Sequence, residues 1–195
     1  MLFRSSVLAS VTQDRWLDLN DLLHDLVAQG FTDQESAEYA LTLRRSALNI
    51  QLHPLEFIAA QHLDDLKRPG KKLDLESLTL WLAQQVGQPY LRIDPLKIDV
   101  AAITPLMSYA FAQRHKILAV AVDRESVTIA SAQPFVSAWE ADLTHVLKLP
   151  IKRVVANPAD IQRLAVEFFR LAKSVSGANR SEERRVGKEC RSRWS

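Results

Sequence analysis

Five histidines (His24, His53, His62, His115 and His145) and one cysteine (Cys190) are the side chains of this 195-residue sequence best suited to metal ligation or nucleophilic attack. A zinc-binding helix places two histidines at i, i+4 with an acidic partner, so that both imidazoles leave one face. No pair here has that spacing, and each histidine reads as structural, with His62 on an apolar stripe. The acidic pairs Asp64/Asp65, Asp74/Glu76 and Asp123/Glu125 could do acid–base work, but carboxylates at turns and helix starts already serve as caps and solvated groups. Lys67, Arg68, Lys71 and Lys72 surround Pro69-Gly70 and could touch phosphate. Without interleaved aromatic residues for base stacking, they read as a solvated interhelical loop and not as a nucleic-acid site. ATP hydrolysis needs a GxxxxGK loop followed by Ser or Thr, whose amides and lysine hold the triphosphate, and no such run occurs. The chain therefore reads as a non-enzyme, with no catalytic residue, no metal site and no cofactor.

Residues 180–195, RSEERRVGKECRSRWS, back-translate naturally to a common sequencing adapter, and read as an artefactual tail to be left out of fold reasoning. They hold six Lys/Arg and three Glu, so the net charge of +2 for the whole chain becomes −1 for residues 1–179. The tail lacks an apolar period and is expected to be disordered. Cys190 lies within it, which leaves the body without a thiol and fits a reducing compartment. The first 16 residues read as an arm, too short and too weakly apolar for a signal peptide, and no run approaches the ~20 apolar residues of a membrane span. A soluble cytoplasmic protein is the expectation.

Residues 17–87 carry helical spacing. Leu19, Leu22, Leu23, Leu26 and Val27 form one stripe, closed by Gly30 in the left-handed conformation. Thr32 and Glu35 suggest a capping box for a second helix toward Asn49, with Ala40, Leu41, Ala47 and Leu48 inward. A third helix is expected from Pro54, through Leu55, Ile58, Ala59, His62, Leu63 and Leu66, to the Pro69-Gly70 break. Asp74 caps a fourth, with Leu75, Leu78, Trp81, Leu82 and Val86 leading to Gly87. The period then changes. Tyr90 to Ile93 reads as a strand, Asp94-Pro95 as a turn, and Thr104-Pro105 as the start of a helix to about Arg114. Ile117 to Val122 suits a strand covered on both faces, linked by a turn at Asp123 to Ser126 to a partner at Val127 to Ser131. A helix over Phe135 to Leu147, a strand at Ile151 to Val155 and a last helix from Asn157-Pro158 to about Ala172 complete the pattern, before a linker begins over 173–179. The fold class is α+β: a helical subdomain over 17–87, then a small α/β sandwich-like subdomain with a short mixed sheet over 88–172.

The wording of residues 89–169 (PYLRIDPLKID, KILAVAVDRESVTIASAQPF, PIKRVVANPADIQRLAVEFF) resembles the N-terminal domain of the hexameric ATPases of type II secretion and type IV pilus assembly, the GspE/PilB class, related to MshE-type N-terminal domains. The resemblance implies a docking or regulatory piece ahead of a motor that this chain lacks. Its implied partners are the cytoplasmic part of an inner-membrane platform protein and the ATPase motor of a hexameric parent. It implies a cytoplasmic location, with the membrane touched only through partners. Some relatives bind cyclic di-GMP through a repeated pattern that opens Arg-Leu-Gly and closes on another Gly. Setting that closing Gly on Gly30 places Asp21, Leu22 and Leu23 over Arg-Leu-Gly, with Leu26 matching. A more degenerate copy sets His53 in the arginine place, with Leu55 and His62 in the two glycine places. Arginine offers a planar cationic fork to phosphate, whereas Asp21 repels it and Leu23 adds bulk, so these positions are expected not to bind the dinucleotide.

Overall fold

The computed structural model describes residues 14–43 and 52–191, with side chains described as far as residue 175. Ala47 and Leu48, expected on the second helix, lie outside the described residues. The elements are α1 (Leu19–Ala28), α2 (Gln34–Leu43), α3 (Pro54–Ala60), α4 (Leu75–Gln85), α5 (Val100–Ile103), α6 (Tyr109–His115), β1 (Ile117–Val122), β2 (Val127–Ser131), α7 (Ala138–Leu147), β3 (Ile151–Val155) and α8 (Pro158–Arg191). The class is α+β, as the sequence implies.

In the helical half, local chemistry sets most boundaries. Asp18 caps α1 through Asn20 N, and the helix closes at Gly30 (φ +72°). There Gly30 N donates to Val27 O at 2.9 Å and Phe31 N to Leu26 O at 2.8 Å, the paired bonds of a Schellman end. Asp33, not Thr32, caps α2, its carboxylate accepting from Ser36 N at 2.7 Å. The Thr32 hydroxyl is buried and has no hydrogen-bond partner among the described residues. Helix α3 stops at Ala60, well short of Leu66: the residue after its C-cap, His62, is left-handed (φ +52°), and beyond it the buried Asp65 holds a turn. Its carboxylate accepts from Lys67 N at 2.9 Å and Arg68 Nε at 2.6 Å. That turn lets Leu73 N reach Leu63 O at 2.8 Å. Asp74 caps α4 through Ser77 N, as expected.

In the second half β1 and β2 pair antiparallel and β2 and β3 parallel, giving a mixed sheet of order β1-β2-β3. Asp123 makes the hairpin turn by accepting from Glu125 N and Ser126 N. Residues 90–93 do not form a strand. Only a bridge from Tyr90 to Val155 is made, with Leu91 N donating to Val155 O at 2.8 Å, before Asp94-Pro95 turns the chain into a 3₁₀ segment. The helix expected over 104–114 is split. Asp99 caps α5, Thr104–Leu106 is 3₁₀, Met107 is extended, and Ser108 starts α6 anew.

Helix α8 corrects two expectations: it passes Ala172 without a break, and residues 180–191, expected to be disordered, continue it. No proline interrupts the run after its first residue, Gly177 and Gly187 each cost only about 1 kcal/mol relative to Ala, and the Glu/Arg/Lys-rich sequence around them has high helix propensity. Among the described residues the buried apolar side chains fall into two clusters. One gathers Leu19, Leu23, Leu26, Phe57, Ile58, Leu78 and Trp81 of the helical half; the other joins the sheet to Trp139 of α7 and to Ile161, Leu164, Ala165 and Phe168 of α8.

Candidate functional site: the cleft between the two cores

The two cores meet along the connection from β2 to α7, and the arm and two points of the helical half are pinned to it. Asp14 caps α7 from 123 residues away, accepting from Ser137 N at 2.9 Å and Ser137 Oγ at 2.8 Å, and from Ala138 N at 2.7 Å. Those bonds, the Ser137 amide first, hold its carboxyl below the ordinary aspartate range. Leu17 N donates to Gln133 Oε1 at 2.9 Å. His53, the N-cap of α3, accepts from Leu55 N at Nδ1 (3.3 Å) and lies 2.9 Å from Ala132 O at Nε2. A carbonyl cannot donate, so Nε2 carries the proton and Nδ1 is bare. Burial drives the imidazole pKa down to about 4, against the opposing bond to Ala132 and with help from the Lys116 charge.

The connection is itself braced. Arg153 of β3 pairs with Glu140 at 2.8 Å, donates to Val136 O at 3.1 Å and to Pro134 O, and stands 5.6 Å from the Trp139 ring centre. Residues 133–137 are thereby fixed against the second core.

Between these attachments opens a cleft of about 290 Å³. Its apolar floor comes from Leu17, Ile117, Ile161 and Ala165, and its polar wall from His53, Glu56, Lys116 and Gln133. Burial raises the Glu56 carboxyl, which the His53 backbone amide and the Lys116 charge partly offset. Lys116 closes α6 in the left-handed conformation (φ +54°), and its carbonyl accepts from Ala132 N at 3.1 Å. Trp16, 54% exposed, stands at the mouth. Trp16 and Leu17 also border a notch of about 30 Å³ on the far side of the arm, which Asp21 and Leu22 line.

The degenerate motif positions are thus divided by the arm. Asp21 faces solvent and pairs with Arg15 at 3.5 Å, while Leu22, Leu23 and Leu26 are core residues. Gly30 is left-handed, as is His62 (φ +52°) in the corresponding place of the second copy. His53 lines the cleft, and Leu55 is buried beneath it. The basic loop is largely neutralised: Arg68 pairs with Asp65, Lys72 with Asp64 at 2.6 Å, and the Lys67 ammonium sits 3.9 Å from the Phe31 ring centre. Among the described residues no cluster of His, Cys, Asp or Glu could hold a metal ion, and no helix is long and apolar enough to cross a membrane. Sequence reasoning missed Asp14, Trp16, Lys116 and Gln133, whose roles depend on partners far along the chain.

Comparison with known families bears on the second half directly. Residues 86–175 match the MshEN domain family. The chain is 36% identical over 160 residues to the type IV pilus assembly ATPase TfpB of Acinetobacter baylyi (strain ATCC 33305 / BD413 / ADP1). That alignment covers 82% of this chain and 27% of TfpB, so the chain spans about a quarter of the length of that relative. Among solved structures, MshE with cdg aligns at 18% identity and a TM-score of 0.47, over 78% of this chain and 99% of that one. The N-terminal domain of XpsE aligns at 13% identity and a TM-score of 0.45, over 77% and 96%.

Proposed function

We propose that residues 1–179 are the non-catalytic docking and regulatory portion of a type II secretion or type IV pilus assembly ATPase, binding the cytoplasmic part of an inner-membrane platform protein. The MshEN match over 86–175, together with 36% identity to a pilus assembly ATPase, carries this reading. The sequence supports it by offering no phosphate-binding loop and a near-neutral body. A regulatory contact of about 1,200 Å² would give micromolar affinity. Purified body and the platform protein of the same gene cluster should co-elute or bind saturably. Failure to associate both alone and within a full-length hexamer, where avidity amplifies a weak contact, overturns the proposal.

A second reading, a cyclic di-GMP sensor, is favoured by one observation: Asp21 to Gly30 and His53 to His62 have equal spacing and both close on a left-handed residue. Against it, Asp21 puts a carboxylate where a phosphate would sit, and Leu23 is built into the core. Calorimetric titration is expected to show no Kd at or below about 1 μM, a free energy of roughly −8 kcal/mol. Tight binding would promote the sensor reading.

A further inference from the structure

The geometry points to the cleft between the two cores as the seat of a partner's anchor: one apolar side chain of the platform protein, inserted over Leu17, Ile117 and Ile161, with a neighbouring carboxylate held by Lys116 and Gln133. This rests on the docking reading above. Three observations carry it. The first is an unpartnered donor. Gln133 is only 4% exposed, its Oε1 is committed to Leu17 N, and its side-chain amide nitrogen has no hydrogen-bond partner among the described residues. An amide donor that opens on the cleft and has no partner among the described residues can take an acceptor from a docked partner in place of water. The second is charge. Lys116 is exposed at the cleft and has no carboxylate within ion-pair distance among the described residues; Glu56 shares the wall and feels its charge, so it is the free ammonium, not the wall as a whole, that a partner carboxylate would meet.

The third is size and rim. A volume of about 290 Å³ lies at the small end of ligand pockets and accommodates one large side chain with the atoms around it. Trp16 and Leu52, 54% and 40% exposed, flank the mouth as apolar surface that a partner would cover. A filled pocket ringed by contacts that exclude water is the arrangement in which a single anchor dominates binding. Because the floor and walls come from both halves of the chain, an anchor seated here would also fix one core against the other.

The test uses the full chain and the purified cytoplasmic domain of the platform protein from the same gene cluster, with affinity read by calorimetry or biolayer interferometry. Gln113→Trp and Gln162→Trp place bulk at exposed rim positions and leave both cores untouched. Lys116→Asn removes the ammonium with a residue that tolerates the left-handed conformation. Each tryptophan variant is expected to weaken binding about tenfold or more. Lys116→Asn is expected to slow association and flatten its salt dependence. Leu96→Asp, at a 96% exposed residue outside the cleft, should change nothing. Wild-type binding that all three cleft variants match overturns the anchor site and leaves docking standing. No association by the wild-type chain, alone or in the hexameric ATPase, overturns both.

Discussion

Replacing His53 by Asn separates the two jobs of its imidazole and tests them against pH. Asn retains the N-cap acceptor for α3 but cannot reach Ala132 O across the junction. At pH 7 the loss is one hydrogen bond to a buried carbonyl, a cost of about 1 kcal/mol. The wild-type imidazole, with a pKa lowered from 6.5 to about 4, is neutral in the fold and more readily protonated when unfolded. The unfolded state therefore binds more protons in that window. Stability is fully present above the unfolded value, falls as pH drops through 6.5, and levels off below about 4. At about 1.4 kcal/mol per pH unit the ceiling is about 3 kcal/mol, and the change between pH 7 and pH 4.5 is about 2 kcal/mol. Glu56, raised by burial, works in the opposite sense, and the lowered carboxylates of Asp14, Asp33 and Asp123 act chiefly below their ordinary value of 3.8. Both contributions are common to wild type and variant, so the difference between the two proteins isolates His53. Urea unfolding followed by circular dichroism at pH 7, 5.5 and 4.5 should show the variant about 1 kcal/mol less stable at pH 7 and equal or more stable at pH 4.5. A gap constant to within about 0.5 kcal/mol across that range would show that the imidazole is not held neutral by the junction.

Three further substitutions probe the frame around the cleft. Leu26→Ala, at a fully buried position of the helical core, should cost about 2–5 kcal/mol by urea denaturation, the range for a cavity left by a lost leucine. Asp14→Ala removes the cap that the arm gives α7 and should cost about 1 kcal/mol, with faster amide exchange at Ser137 and Ala138. His62→Gly should be neutral or stabilising by up to about 1 kcal/mol because it relieves a left-handed residue, whereas Gly30→Ala should destabilise by about 1 kcal/mol or more; equal losses at both sites would contradict the backbone argument.

The elements that sequence reading located are those whose boundaries are written within a few residues. Gly30 supplies a left-handed helix end, Asp74 and Asp123 bind amides two or three positions on, and the apolar run Ile117–Val122 forms the expected strand, buried over Ile117–Val120 but exposed at Ala121. The misreadings arise where two local signals compete. Thr32 and Asp33 are adjacent cap candidates, and the carboxylate, the stronger acceptor, wins while the hydroxyl is buried. Leu63 and Leu66 continue the apolar spacing of α3, yet the Asp65 turn overrides it and leaves Leu66 52% exposed. Thr104-Pro105 reads as a helix start, but Asp99 and Ser108 on either side cap separate helices.

The cleft was not legible because its decisive bonds span 79, 116 and 123 residues: His53 to Ala132, Leu17 to Gln133, and Asp14 to Ser137. In the sequence each partner has a sufficient local explanation, as a helix cap, an arm residue or a turn. Their convergence on residues 132–137 gives the short connection a role that neither core reveals alone. Arg153 anchors that connection to β3, so a force applied to the helical half through the arm or α3 reaches the sheet through a braced segment. On the docking reading proposed above, a piece that transmits load needs such a rigid junction, and the cleft lies where a partner could grip both sides of it.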